Sequence, residues 1–302
     1  MTEKPVTGEE LAVRWPLRAR LESLAGWAAR YLPILRVLAF VVALGIVAVM
    51  TERAVRAVNF SKIDPWLLVG SVVAAIVWWV LLARGWALLV EGLTQRKDLS
   101  IWCRTQAVRY LPGGIWAPAS RATLLHGSVF DRISTVGAEN VLALCAAVAV
   151  GGIAFAAGGE PVWIPLALTL AVPVLGARFV ERRSRLTRGR LLNVTFNDTV
   201  AFVAYVLSAV LVQGALSGWA NALAVAGAAG VAWGVGLVVV IAPSGVGVRE
   251  ATYVALLSGR IPHGDATAAA ITLRLVTVLA ELVVLVLLGR PANAEAAGTA
   301  RP

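Results

Sequence analysis

The sequence predicts an all-α polytopic integral membrane protein with about seven transmembrane helices and two re-entrant or broken helical segments. Apolar residues make up 59% of the chain and charged residues 15%, and the mean hydropathy is +0.80, a balance that a water-exposed globular surface cannot hold. Several apolar stretches reach the roughly 20 residues that a helix needs to cross a bilayer. The net charge of +10 is distributed over the segments between these stretches, so it indicates membrane topology and not a nucleic-acid surface.

The predicted transmembrane domain covers residues 32–289. Backbone polar groups in lipid must be hydrogen-bonded within the segment, so each apolar stretch is expected to be a helix. Residues 1–31 are predicted as a cytoplasmic, basic, amphipathic lead-in, which either lies on the inner leaflet or simply orients the first span. Residues 290–302 are predicted as a flexible tail. The seven stretches are Leu32–Met50, Pro65–Val90, Ile133–Ala157, Val162–Val180, Val194–Leu216, Ala220–Ala242 and Ala266–Leu288.

Basic residues indicate which loops are cytoplasmic. They cluster in the lead-in, in the turn after the second stretch and in the loop after the fourth, where five arginines lie between residues 182 and 190. The short loops 158–161 and 217–219 carry no lysine or arginine. By the positive-inside rule, the N-terminus is cytoplasmic and the protein is expected in the plasma membrane. Seven crossings would place the C-terminus outside.

The first departure from a simple span lies in residues 99–132, which are too polar for a crossing and too apolar for an exposed loop. At its centre, Pro112 is followed by Gly113 and Gly114, and this run cannot continue a helix without losing hydrogen bonds and order. Broken backbone at membrane depth is tolerated only where protein or a watery cavity surrounds it. The segment is therefore predicted as a re-entrant hairpin that lines a cavity.

A second break is predicted at residues 242–250, around Pro243, Gly245 and Gly247. Both breaks have the form proline, small residue, glycine, aliphatic residue, and each is followed by a span that contains a glutamate, Glu139 or Glu281. This recurrence indicates a duplication, and paired interrupted segments in two halves mark the binding site in transporters. Four crossings are counted between the breaks, which places both on the cytoplasmic side; whether the repeat is inverted stays open.

Charged side chains inside the predicted spans need a reason, because each costs about 2.5–3.5 kcal/mol at the bilayer centre. Glu139 lies in the third span, and Arg274 and Glu281 lie on one face of the seventh, two helical turns apart. Either the arginines hold a lipid phosphate or a similar anion while the glutamates balance charge or accept protons, or buried ion pairs fix the helix packing. The candidate groove residues are Arg109, Tyr110, Pro112, Gly113, Gly114, Arg121, Glu139, Pro243, Gly245, Gly247, Arg249, Glu250, Arg274 and Glu281.

Other polar and aromatic residues are interpreted structurally. The 11 tryptophans are expected mostly near the membrane interfaces, as an aromatic belt. Asn197 and Asp198, near the start of the fifth span, are interpreted as interfacial or helix-bridging.

The cysteines and histidines indicate no metal chemistry. Cys103 and Cys145 lie far apart in apolar surroundings and are interpreted as buried thiols without a disulfide framework. His126 and His263 are the only histidines and both lie in predicted loops. We therefore expect no metal, no cofactor and no catalytic residues.

The two breaks resemble segments of the membrane-domain family of lysylphosphatidylglycerol synthases, a flippase-like region also found as stand-alone proteins. The run Tyr110–Trp116, with Arg121 five residues on, resembles that family's Tyr-x-Pro-Gly segment and following arginine, and Glu139 resembles its intramembrane glutamate. The run Pro243–Ala251 is similar to the family's Pro-Gly-Gly-x-Gly-x-x-Glu-Ala, and Arg274 falls where a span arginine is expected. The resemblance covers residues 99–289.

This chain departs from the family pattern at two places. Asn140 stands where the family often has an arginine after the glutamate, and Ile115 and Trp116 stand where it often has a glutamate after the first Pro-Gly. The residues after the last span also leave no room for the aminoacyl-transferase domain of the synthases. The resemblance therefore implies lipid translocation and not lipid aminoacylation.

The sequence predicts a lipid translocase that moves an anionic phospholipid or a polyprenyl-linked lipid between leaflets, with membrane lipids and no nucleic acid as partners. One alternative is an accessory membrane subunit of a lipid-modifying synthase or glycosyltransferase. Another is a membrane-embedded enzyme that acts on lipid phosphates. Such an enzyme needs convergent acids, bases or metal ligands, whereas the aspartates here are scattered over predicted loop and interface positions.

Overall fold

A computed structural model of the chain describes Glu52 and residues 63–90, 95–106, 109, 116–125, 127–181, 186–239 and 243–289. The predicted lead-in, the first span Leu32–Met50 and the tail lie outside these residues. The described part is all-α, and its helices of nine or more residues are α1 (Pro65–Leu89), α2 (Gln95–Gln106), α3 (Trp116–Leu124), α4 (Val129–Ala157), α5 (Ala171–Glu181), α6 (Arg188–Ser217), α7 (Ala222–Val238), α8 (Val248–Leu256) and α9 (His263–Leu288).

Four helices, α1, α4, α6 and α9, are long and apolar enough to cross a membrane. They correspond to the second, third, fifth and seventh predicted spans. On α1, the exposed residues Val69, Val73, Val77 and Val80 recur every three or four positions, which is the pattern of a helix face that contacts lipid. The multi-pass membrane architecture is therefore supported by four candidate spans.

The fourth and sixth predicted spans are not long helices. The fourth is divided into the short turns Pro161–Trp163, Ile164–Ala167 and Leu168–Leu170, followed by α5 with its 11 residues. The prolines in this stretch lack the backbone N–H that a continuous helix needs, so each favours a new helical start. The sixth predicted span corresponds to α7, whose 17 residues extend about 25 Å, less than the roughly 30 Å of a hydrocarbon core. Seven crossings are not shown by the described residues.

Helices α1 and α4 begin at residues whose side chains accept from their free backbone N–H groups. The Asp64 carboxylate accepts from the backbone of Trp66 at 2.9 Å, and Pro65 occupies the first position of α1. Ser128 and Asp131 cap α4 reciprocally, since each side chain accepts from the other residue's backbone N–H. These polar caps fix where the apolar helices start.

The helices pack in two main pairs, α1 with α6 and α4 with α7. The second pair is held close by glycines: a Cβ atom on Gly230 would lie 2.7 Å from the carbonyl oxygen of Ala147 and 2.9 Å from the Cα of Gly151. A Cβ on Gly227 would lie 2.5 Å from the Phe155 ring. We call the contact between residues 147–155 of α4 and residues 227–231 of α7 the glycine seam, because only glycine allows this approach.

The break predicted around residue 245 is present. Helix α7 ends at Val238 and α8 begins at Val248, with a single 3₁₀ turn at Pro243–Gly245 between them. Ser244, Gly245 and Gly247 have φ angles of 54°, 66° and 81°, which an α-helix cannot accommodate. At the first predicted break, α2 ends at Gln106 and α3 begins at Trp116; of the residues between them the structure describes Arg109 alone.

Replacing Gly230 by alanine should lower the thermal unfolding temperature in detergent, because the added methyl group overlaps the backbone of α4, and overpacking of this kind costs about 1–3 kcal/mol. Gly137→Ala is the matched control: Gly137 also lies within α4, but its Cβ would meet no atom within 4 Å. The control should be neutral or slightly stabilising, since alanine is the better helix former. Equal decreases in the unfolding temperature of the two variants would contradict close backbone contact at the glycine seam.

Candidate functional site

A polar hollow lies among α1, α2, α3, α4, α7 and the start of α8. Its larger part has a volume of about 130 Å³ and is lined by Arg109, Arg121, Glu139, Asp198 and Arg249, among others. A smaller part of about 30 Å³ is lined by Glu250 and Arg274 and shares Arg109 and Arg249 with the larger one. We call the two parts together the polar cavity.

Arg121 and Glu139 form a buried ion pair on one wall of the polar cavity. Arg121 Nη1 lies 2.9 Å from Glu139 Oε1, and the side chains are 3% and 13% exposed. Trp102 Nε1 donates a hydrogen bond to the same oxygen at 2.7 Å. Glu139 Oε2 is buried and has no hydrogen-bond partner in the described ranges. One carboxylate oxygen thus holds α2 and α3 against α4.

Arg109, which lies between α2 and α3 in the chain, contacts α9. Its Nη2 donates to Glu281 Oε2 at 2.6 Å, and its guanidinium lies 4.6 Å from the centre of the Trp79 ring. The Trp79 ring is itself fixed, because its Nε1 donates to the backbone oxygen of Thr277 on α9 at 3.0 Å. The arginine is therefore held between a carboxylate and an aromatic face.

Arg274 and Glu250 join α9 to the second break. Arg274 Nε lies 3.9 Å from Glu250 Oε1, and Arg274 Nη2 lies 3.2 Å from Ser244 Oγ. Glu250 Oε2 also accepts from the backbone N–H of Gly247 at 2.7 Å, which caps the first turn of α8. The Glu250 side chain, which is 5% exposed, therefore both stabilises the first turn of α8 and faces the Arg274 guanidinium.

Arg249 has no ion pair or hydrogen bond with any residue that the structure describes. Its buried Nε has no acceptor among the described residues, and its guanidinium lies 5.0 Å from the centre of the Trp233 ring. Burial, followed by the charge of Arg274, lowers the pKa of this guanidinium. Gly236 and Gly245 make room for it, since a Cβ on Gly236 would overlap the arginine side chain and a Cβ on Gly245 would lie 2.8 Å from Nε.

Three indole groups add further unpaired donors. Nε1 of Trp78, Trp86 and Trp233 is buried without a hydrogen-bond partner in the described ranges, and all three residues line the polar cavity. Together with Trp79 and Trp102 they are at most 7% exposed. The interface-belt interpretation is wrong for these five tryptophans, which pack inside the helix bundle. It fits Trp66 and Trp219, which are exposed at helix ends.

Asp198 is a cavity residue that the sequence reasoning did not select. It is 3% exposed, its Oδ1 lies 3.2 Å from Asn197 Nδ2, and Asn197 also donates to the Leu81 backbone oxygen at 2.7 Å. A Cβ on Gly85 would lie 2.6 Å from Asp198 Oδ1, so the glycine leaves space for the carboxyl group. The predicted fifth span began at Val194, whereas α6 begins six residues earlier, so Asp198 lies deeper than expected. The interpretation of Asn197 as helix-bridging is confirmed by its bond to α1.

The structure brings together most of the residues selected from the sequence. Gly247 supports Glu250, Pro243 begins the 3₁₀ turn, and Glu281 lies behind Arg109. Tyr110, Pro112, Gly113 and Gly114 lie outside the described residues. Of the residues selected from the sequence, those that line the polar cavity are Arg109, Arg121, Glu139, Gly245, Arg249, Glu250 and Arg274.

No family model matches this chain, and a search of curated proteins finds no match. The resemblance to the lysylphosphatidylglycerol synthase membrane domain stays a prediction that rests on the two motifs.

The Arg121–Glu139 pair can be tested by a double-mutant cycle. Glu139→Gln leaves a buried cation without its counter-charge, and loss of one partner of a buried ion pair costs about 3–5 kcal/mol. We therefore expect a marked drop in the thermal unfolding temperature of Glu139→Gln in detergent. The double variant Arg121→Gln with Glu139→Gln removes both charges and should recover much of the loss. Additive losses in the cycle would show that the two side chains do not interact.

Proposed function

We propose that this protein is a flippase-like lipid translocase, which moves an anionic phospholipid or a polyprenyl-linked lipid between leaflets and holds the lipid phosphate at Arg249. The observation that carries the proposal is the unpaired Arg249 in a cavity lined by candidate membrane spans. The resemblance of the two broken segments to a flippase-like family agrees with it.

The balance of donors and acceptors favours an anion as the ligand. A buried donor without an acceptor costs about 1–3 kcal/mol, and the polar cavity contains Arg249 Nε and three indole N–H groups in that condition. A phosphate group offers several oxygens, and arginine binds such oxygens through charge-assisted hydrogen bonds. One ligand of this kind can therefore satisfy donors from α1, α7 and α8 together.

The carboxyl groups of the polar cavity leave this cation available. Glu139 faces Arg121, and Glu250 faces Arg274 and the Gly247 backbone. Asp198 accepts from Asn197. Since the two glutamates are already engaged, an arriving anion meets Arg249 as the cation that has no counter-charge in the described residues.

The position of the polar cavity favours a membrane-resident substrate. Its walls come from the candidate spans α1 and α4 and from the interrupted stretch between α7 and α8. Interrupted helices at membrane depth line substrate pathways, because their free backbone groups need a polar surrounding. A lipid headgroup that crosses the bilayer requires such a polar path between apolar helices.

Arg249→Gln is expected to slow lipid exchange by about 10- to 100-fold, because a hydrogen bond to a charged group contributes about 1.5–3 kcal/mol and 1.4 kcal/mol corresponds to a factor of ten. The measurement uses proteoliposomes that contain fluorescent phosphatidylglycerol or a fluorescent polyprenyl phosphate, with chemical quenching of the outer leaflet as the readout.

The matched control is Arg188→Gln, which removes an exposed arginine at the start of α6. It should exchange lipid at the wild-type rate, and both variants should keep the wild-type unfolding temperature. If vesicles with the wild-type protein exchange neither lipid faster than protein-free vesicles do, the translocase proposal is contradicted and an accessory subunit is favoured. Wild-type exchange by Arg249→Gln would remove Arg249 from the site.

A further inference from the structure

A second hollow, which we call the apolar groove, lies on α4 and α7 beside the turn Leu168–Leu170. It has a volume of about 390 Å³. Its polar lining is limited to Thr169 and the Cys145 thiol, and the Thr169 hydroxyl already lies within hydrogen-bond distance of two backbone oxygens, those of Cys145 and Leu166. The lining residues are Leu144, Cys145, Val148, Thr169, Gly234, Val235, Val238 and Val239.

The apolar groove adjoins the polar cavity on the same two helices. On α4 the polar cavity is lined as far as Ala143, and the apolar groove begins at the next residue, Leu144. On α7, Gly236 and Leu237 line the polar cavity, whereas Val235 and Val238 line the groove. Val239, at the end of α7, lines both hollows. Charged and apolar surfaces thus meet at one boundary between two helices.

The glycine seam leaves no space at one end of the α4–α7 pair, so both hollows lie towards the other end. Between residues 147–155 and 227–231 the two backbones touch and leave no space. At Gly234 a Cβ would still lie 2.6 Å from the Val148 side chain, so the close approach extends to the groove itself. Beyond Gly234 the side chains of Arg249 and Glu139 occupy the region between the helices, and the hollows open there.

The apolar groove is open to the surroundings of the bundle. Val235 is 37% exposed and Val238 is 62% exposed, so the groove faces the side on which lipid would lie around α4 and α7. Burial of a hydrocarbon chain from lipid into protein yields little free energy, because lipid is as apolar as leucine. The groove would therefore provide a route for a hydrocarbon chain and add little to the affinity for the lipid.

We infer that one hydrocarbon chain of the bound lipid lies in the apolar groove while its phosphate lies at Arg249. This inference rests on the proposed function and adds the route by which the chain leaves the polar cavity. A headgroup that enters the polar cavity must stay connected to a chain that avoids polar surface, since exposure of a methylene to water costs about 0.8 kcal/mol. Val239 lines both hollows, so we place the connection beside this residue.

Photo-crosslinking tests the inference directly. Phosphatidylglycerol with a photoreactive diazirine on one acyl chain is reconstituted with the full chain, irradiated, and the labelled peptides are identified by mass spectrometry. Labels should concentrate on residues 144–148 and 234–239, and Arg249→Gln should reduce them about tenfold, in step with its effect on exchange. Diacylglycerol with the same modified chain has no phosphate, so it reports random contact with surrounding lipid and should label these residues weakly.

A second pair of variants separates the groove from the headgroup site. Val235→Trp fills the groove from its exposed side and should reduce both labelling and exchange severalfold. Val200→Trp places the same side chain on an exposed position of α6 and should change neither. Both substitutions are at partly exposed positions, so the unfolding temperature should stay at the wild-type value.

The outcomes distinguish the two proposals. Equal labelling by phosphatidylglycerol and diacylglycerol, or labelling that is unchanged in Arg249→Gln, would overturn the groove and leave translocation standing. Arg249-dependent labelling in a protein that exchanges no lipid would support the groove as a lipid-binding site and overturn the translocase. Labelling lost on addition of excess inorganic phosphate, with exchange also lost, would support a headgroup site that recognises phosphate.

Discussion

The placement of four arginines among apolar helices, one of them buried and three partly buried, is the constraint on which the site depends. Arg109, Arg121, Arg249 and Arg274 all line the polar cavity, and a charged side chain removed from water is stable only with a partner. For three of them the partner is a glutamate from another helix. These pairs hold α3 against α4, Arg109 against α9, and α9 against α8, so the charges that define the polar cavity also assemble its walls.

Aromatic rings also stabilise positive charge in the polar cavity, through their ring faces and not through a counter-charge. Trp79 and Trp233 present their ring faces to Arg109 and Arg249, and cation–π contacts of this kind contribute more when they are desolvated. Trp78 contacts Trp79, Tyr205 and Trp233, so the rings form one rigid cluster. A rigid aromatic wall keeps the guanidinium groups apart and fixed, which suits a preorganised anion site.

The sequence predicted the helices well where local signals decide the outcome. Apolar length located α1, α4, α6 and α9, and the glycine-rich run with a proline located the interruption before Val248. The sequence did not predict the division of the fourth predicted span into short helical pieces, because mean hydropathy outweighed its two prolines in the interpretation. It also did not identify Trp78 and Trp79 as cavity residues, although both lie in the middle of a predicted span.

The partners of the charged residues could not be predicted, because pairing depends on helix packing and not on spacing. Arg274 and Glu281 share a helix face, yet Glu281 pairs with Arg109 and Arg274 faces Glu250. The unpaired state of Arg249 follows from how α7 and α8 meet. Arg249 lies in the first turn of α8, where the helix dipole already disfavours a cation by about 0.3–1 kcal/mol. Glu250 in the same turn compensates part of the positive field at this helix end, but its carboxylate already contacts Arg274 and the Gly247 backbone N–H. The cation, the positive helix end and the indole donors therefore add to one another, and among the described residues no anion pairs with Arg249, which is why we propose a lipid phosphate there.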